Sequence, residues 1–233
     1  MNPKTKLLYG ILVLIGLLLP FQDFIYLVFA MKVLCFALFA CAFNLLLGFT
    51  GLLSFGHAAF FGTAAYITAY FCKEAGLSPE LGIALGVLGS GALGFLIGSL
   101  AIRRQGIYFA MVTLALSQMV YFLAVQLPFT GGEDGIQGVP RGMLFGLIDL
   151  KNDVSMYYFV LTIFLLGFAL IVRTVHSPFG QVLKAIRENE PRAISLGYDV
   201  DRFKLISFVI SAALSGLWLF GFSVNTLTLF AMV

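Results

Sequence analysis

The side chains able to do acid–base, nucleophilic or metal chemistry are few in this sequence, and they do not converge. His57 and His176 stand far apart, and Cys35, Cys41 and Cys72 are scattered in or beside apolar runs. Neither set has metal-ligand spacing. An odd number of cysteines in such runs argues against a disulfide framework and suits small packing residues. No clustered carboxylates and no nucleophile motif point to catalysis. None of the eleven Asp and Glu residues falls squarely within an apolar run. The expectation is a chain that is not an enzyme, with no catalytic, cofactor-binding or metal-binding residue.

His57 sits where glycine and hydroxyl residues interrupt apolar sequence. Gly48, Gly51 and Gly56 fall within nine residues, which disfavours continuous helix. Thr50 and Ser54 can satisfy the backbone groups so released. Irregular backbone at membrane depth is tolerated where it is buried in protein or lines a cavity. Thr50, Gly51, Ser54, Gly56, His57 and Gly62 are therefore broken-helix candidates. His57 suits a buried hydrogen bond to a neighbouring helix; a proton carrier or a ligand is the sharper alternative. The segment is not a Walker A loop, because no Gly-Lys-Ser/Thr follows.

The elements that position these residues are membrane spans. Of 233 residues, 61% are hydrophobic and 11% charged, against roughly a quarter charged in a soluble domain. A soluble fold could not cover that apolar surface. Runs near 7–20, 24–47, 53–72, 81–102, 107–127, 154–175 and 203–224 approach the ~20 residues a span needs. They do not alternate as barrel strands would. The predicted fold is all-α, a polytopic transmembrane helix bundle of about seven spans forming one domain over 1–233. Lys4 and Lys6 before the first run resemble a signal peptide, but no small-x-small cleavage site follows, so the run reads as an uncleaved span.

Positive charge sets the sides. Lys4 and Lys6, then Arg103 and Arg104, then Arg173, Lys184, Arg187, Arg192, Arg202 and Lys204 all fall on one parity, the inside. The N-terminus is expected in the cytoplasm. The segment 128–153 falls outside, with Glu133, Asp134, Asp149 and Asp153 against Arg141 and Lys151. Lys32 lies inside the second run and either snorkels or faces the bundle interior. No basic run suggests nucleic acid.

Two further patterns concern packing. Gly82, Gly86, Ser90, Gly94 and Gly98 put a small residue at every fourth position of the fourth run. Residues at i and i+4 share a helix face, so this row admits a close neighbour; a sliding surface is the alternative. The segment 177–200 reads as two short helices at the inner surface. Ser177 suits an N-cap and Pro178 the first helical position. Pro191 stops the first helix and can start a second, and Gly197 suits a C-cap. Such an element either lies on the membrane or docks into a groove on a cytosolic partner.

Four segments together resemble the permease subunits of branched-chain amino acid ABC importers, in particular the LivM-like branch, with urea permeases as relatives. They are Asn44–Gly62 (NLLLGFTGLLSFGHAAFFG), Gly106–Ala115 (GIYFAMVTLA), Thr130–Pro140 (TGGEDGIQGVP) and 177–199. The match extends, with gaps, from about residue 30 to residue 216.

The resemblance implies that 177–200 is the coupling segment that receives the motion of ATPase subunits. Its matching residues are Glu190, Ala193 and Gly197, preceded by Phe179, Leu183, Arg187 and Glu188. The broken-helix residues become candidates for the translocation path. Gly131, Gly132, Glu133 and Asp134 would face an extracytoplasmic substrate-binding protein, or form a plain loop. The implied partners are two cytosolic ABC ATPase subunits, a second LivH-like permease subunit, the binding protein and the lipid bilayer of a bacterial plasma membrane. ATP and Mg would sit on the partner subunits and not on this chain.

The implied substrate is a branched-chain or other apolar amino acid, with urea or a short amide as alternative. An ion-coupled secondary transporter is the competing class, and the missing intramembrane carboxylates weigh against it. Relatives of this kind usually continue with further spans, so the apolar end at Ala231-Met232-Val233 suggests a fragment or a frameshifted terminus.

Overall fold

The computed structural model describes Gly16, Pro20 and residues 26–104, 106–127, 130–132, 135–136, 139, 143–144 and 148–217. The predicted first span and the end of the predicted last one lie outside the described residues. Helix α1 (Leu27–Asn44) runs directly into a π-helical turn, Leu45–Thr50. The chain then leaves helical geometry at Gly51, whose φ is +74°, and resumes at α2 (His57–Lys73). Between them, burial alternates: Leu52, Ser54 and Gly56 point inward, Gly51, Leu53 and Phe55 outward. That period of two belongs to extended chain.

Helices α3 (Pro79–Ala101) and α4 (Ile107–Gln126) follow, joined through the exposed Arg103 and Arg104. Beyond α4 a short antiparallel hairpin pairs β1 (Met143–Leu144) with β2 (Ile148–Asp149), Met143 opposite Asp149. Helices α5 (Asp153–Val175), α6 (Pro178–Glu188), α7 (Glu190–Ser195) and α8 (Val200–Gly216) complete the described chain. The fold is a helical membrane bundle, as expected, with a hairpin where only a loop was predicted. Among the described residues, four helices are long and apolar enough to cross a bilayer: 27–50, α3, α4 and α5. Helices α2 and α8 have 17 residues each, a rise of about 25 Å at ~1.5 Å per residue, somewhat short of the ~30 Å hydrocarbon core.

Side-chain caps start four of these helices. Asn152 caps α5 by accepting from Val154 N at 3.1 Å. The Ser177 hydroxyl accepts from Gly180 N at 3.4 Å, and Pro178 opens α6. Asn189 ends α6 and caps α7, accepting from Arg192 N at 3.0 Å. Asp199 caps α8 through Arg202 N at 3.3 Å. Gly197, at φ +87°, closes α7: its N–H bonds Ile194 O at 2.9 Å and Tyr198 N–H bonds Ala193 O at 3.2 Å. These are the paired bonds of a Schellman ending, which favours glycine at the left-handed position.

The helices pack in two layers of contact. Helix α3 lies against both α2 and α8, and α1 lies against α5 and α8. One cluster joins Met31, Cys35, Tyr157 and Leu161 between α1 and α5. A second joins Phe60, Ile97, Phe109, Phe208 and Ala212 across α2, α3, α4 and α8. A third, with Leu38, Ala42, Ile171 and Leu214, ties α1, α5 and α8. Ile186, Ala193 and Val200 form a small core that seats α6 and α7 on the start of α8.

Candidate functional site

The broken segment between α1 and α2 is stabilised by its own hydroxyls and by side chains of α4 and α6. Within the π turn, the Thr50 hydroxyl donates to Leu46 O, and Thr50 is buried. Gly56 N–H bonds the Ser54 hydroxyl at 3.2 Å, and Phe55 N–H bonds the Thr113 hydroxyl of α4 at 3.2 Å. A Cβ at Gly56 would lie 3.1 Å from the main-chain oxygen of Thr113, so the two backbones approach closely here. Two N–H groups of the extended chain, those of Phe55 and Gly56, thus find side-chain partners where helical ones are lost.

His57 opens α2 and is buried against Phe43, Phe60, Phe39 and Phe208, each ring edge-on to it. Its Nε2 lies 2.8 Å from the Ser211 hydroxyl, which lies 2.6 Å from Ala42 O. A carbonyl only accepts, so Ser211 gives its one proton to Ala42 and receives one from His57 Nε2–H. The chain joins α2, α8 and α1 and ends on backbone. Of the two readings open for His57, the geometry matches the hydrogen bond to a neighbouring helix. Gly62 is buried one turn further along α2.

The segment carrying the proposed coupling residues divides by direction. Leu183 and Ala193 are buried in the protein, and Phe179 stacks on Phe203 of α8 at 5.5 Å. These contacts seat the element on the bundle, with Phe179 half-buried. Arg187 is exposed overall, yet its stem lies against Gly51 and its Nη1 donates to Gly48 O in the π turn. Glu190 pairs with Lys204 of α8 at 2.7 Å, and Lys204 is only 3% exposed. Glu188 and Gly197 face outward. So do three residues that sequence reasoning missed: Ile194 (58% exposed), Leu196 (67%) and Tyr198 (41%). No local signal separates Ile194 from the buried Ile186; only the tertiary fold does.

The small-residue row of α3 is buried throughout, but it serves two neighbours. A Cβ at Gly82 would meet Cys72 Sγ at 2.7 Å, and one at Gly86 would collide with Thr68 Oγ1 and lie 3.0 Å from Ala64 O, all on α2. A Cβ at Gly94 would lie 2.5 Å from Ala212 Cβ, and one at Gly98 2.9 Å from Leu205 and Phe208, on α8. Ser90 stands at the crossing, under Gly216.

On the hairpin side, Gly131, Gly132 and Gly135 have φ of +81°, +62° and +63°. Thr130 is buried and its one hydroxyl proton lies between Ala124 O and Leu127 O, tying the turn to the end of α4. Glu133 and Asp134 lie outside the described residues. Missed residues that hold the site include Thr113, Lys184, Lys204 and Ser211. Ser207, Ser211 and Ser215 recur at i+4 and are all buried on α8, a spacing readable in the sequence.

Comparison with known proteins places this architecture. The family described as "Branched-chain amino acid transport system / permease component" matches residues 25–225. The high-affinity branched-chain amino acid transport system permease proteins LivM of Salmonella typhimurium and Escherichia coli are each 33% identical over 196 residues, covering 74% of this chain and 46% of theirs. The probable branched-chain amino acid transport permease protein LivM of Methanocaldococcus jannaschii is 27% identical over 160 residues, covering 65% of this chain and 46% of its own. The chain thus spans about half the length of the curated relatives it matches. No solved structure matches it significantly. With most of its length matched by one family and a helical membrane bundle to accompany it, the chain belongs to the branched-chain amino acid transport system permease family.

Proposed function

We propose that the chain is a membrane-spanning permease subunit of an ATP-binding-cassette importer. It moves branched-chain or other apolar amino acids into the cytoplasm by alternating access. It works with two cytosolic ATPase subunits, a second permease subunit of the LivH type and an extracytoplasmic binding protein. The ATPases hold ATP and Mg; this chain contributes a path and a lever.

The observation that carries this reading is the α6–α7 element. It is capped at both helices, seated by Leu183 and Ala193, and presents Ile194, Leu196 and Tyr198 outward. A short rigid helical element with an apolar tip suits insertion into a groove on a partner. It lies at the basic end of the bundle. Helix α3 ends in Arg103 and Arg104 beside the start of α8, since Gly98 meets Leu205 there. Positive charge marks the cytoplasmic side, where ATP is available, so the N-terminus and α6–α7 are assigned to that side.

The test is uptake of radiolabelled leucine by vesicles carrying this chain with ATPases, a LivH-type permease and a binding protein from the same organism. Uptake should require ATP and each partner. A thiol crosslinker at Leu196→Cys should capture the ATPase. Uptake that persists without the ATPase and collapses with the proton gradient would overturn the reading.

A further inference from the structure

Arg187 is placed to do more than decorate the lever. Its guanidinium crosses from α6 to the carbonyl of Gly48, a contact 139 residues apart in sequence. Gly48 lies in the last turn of the α1–π helix, where carbonyls lose their helical partners because the chain departs at Gly51. A cation at such an end is favourable to the helix dipole as well. Arg187 therefore caps a membrane helix from another element. Two further contacts fix the same pair of segments. A Cβ at Gly51 would lie 3.2 Å from Arg187 Cγ, so the arginine stem lies along the turn. Lys184, one turn earlier on α6, sits 5.6 Å over the Phe49 ring, within cation–π range.

The segment that Arg187 holds is a π turn, a geometry one residue removed from regular helix. A π turn carries one residue more per turn than the α-helix. Releasing that residue converts the turn to α-helix and swings the chain beyond it by about 100°. Residues 51–57 follow directly, with the Ser54 and Thr113 contacts and His57 at their end.

We propose that Arg187 is a positioning residue, the strut by which α6 moves the helix break. Displacement of α6 carries the Gly48 carbonyl with it, and the π turn absorbs or releases a residue as the 51–57 segment reorients. The proposal rests on the permease reading given above and assigns the route by which motion enters the spans.

The test uses the assembled complex in vesicles. Arg187→Ala should cut ATP-driven leucine uptake about tenfold while hydrolysis by the complex stays within about twofold, the signature of lost coupling. Phe49→Cys and Lys184→Cys then allow α6 to be joined to the turn by a reducible bifunctional thiol reagent. In the Arg187→Ala background, the crosslinked protein should regain uptake about tenfold over the same protein after reduction, because the link replaces the strut. The Arg187→Ala chain without the added cysteines controls for reagent at native thiols. Wild-type uptake by Arg187→Ala would overturn the proposal, as would equal loss of uptake and hydrolysis. If Arg187→Ala does not assemble, the cysteine pair with Arg187 retained still decides: a crosslink that stops uptake means α6 slides over the turn and refutes the strut. Absence of ATP-dependent uptake by the wild-type complex would instead refute the permease reading.

Discussion

His57 Nε2 lies 2.8 Å from the hydroxyl of Ser211, which in turn reaches Ala42 O at 2.6 Å. One serine thus holds the start of α2 and the last turn of α1 at the same time. Ser211→Ala strands a buried N–H in an aromatic surround. We expect a loss of about 1–2 kcal/mol of stability, read as a lower thermal midpoint of the detergent-purified protein. An unchanged midpoint would mean the chain of bonds contributes nothing.

The glycine row gives an internally controlled prediction. Gly91 is off the row, and a Cβ there would meet Ala213 Cβ at an ordinary 3.7 Å. Gly91→Ala should be neutral or stabilising, since alanine is the better helix former by about 1 kcal/mol. Gly86→Ala and Gly94→Ala should each destabilise by about 1–3 kcal/mol, the cost of overpacking. Their obstacles are the Ala64 backbone oxygen and the Ala212 Cβ, which cannot swing aside. Chemical-denaturation midpoints of the three variants would rank them, and equal midpoints would refute the close contact.

Lys204 and Glu190 make a pair of unequal exposure: their side chains are 4% and 26% accessible. Removing the carboxylate charge leaves the lysine buried with its best partner neutralised. Glu190→Gln should loosen α7 from α8 by about 2–3 kcal/mol, seen as faster hydrogen exchange over 189–199. The exposed pair Arg202–Asp199, at 82% and 51%, is the contrast. Arg202→Ala should shift stability by less than about 1 kcal/mol.

The assigned sides are checked by labelling single cysteines with an impermeant thiol reagent. Lys151→Cys, beside the hairpin, should react in intact cells. Arg104→Cys should react only after the membrane is opened. Both positions are exposed; native Cys35 and Cys72 are buried, and the half-buried Cys41 is replaced by Ser to keep background low. The opposite pattern would invert the topology.

Local signals were legible in the sequence, and long-range ones were not. Ser177, Pro178, Pro191 and Gly197 act on their own neighbours, so their caps could be read in place. Gly48, Gly51 and Gly56 announced a break for the same reason. The π turn could not be read, because the groups packed on it, Arg187 and α8, are distant in sequence. The row from Gly82 to Gly98 was visible as spacing, but its division between α2 and α8 is a property of three helices together. Arg187 and Leu183 sit on one short helix, and only tertiary contact separates the side chain that reaches Gly48 from the one that seats the element. The exposed Ile194, Leu196 and Tyr198 went unnoticed because burial, which sets them apart from Ile186, is not written in their identity.

The divided face of α3 has a consequence for biogenesis. Residues 74–78 join α2 to α3, so Gly82 and Gly86 can dock as soon as both helices leave the ribosome. Gly94 and Gly98 wait for α8, whose first residue is Val200. At ~5–20 residues per second, that interval lasts on the order of ten seconds. During it, half of the helix surface is zipped and the other half is solvated by lipid. The nascent chain therefore passes through a partly assembled stage in which a groove of glycines stands open, a vacancy that a neighbouring nascent helix or a membrane insertase could occupy until its rightful tenant arrives.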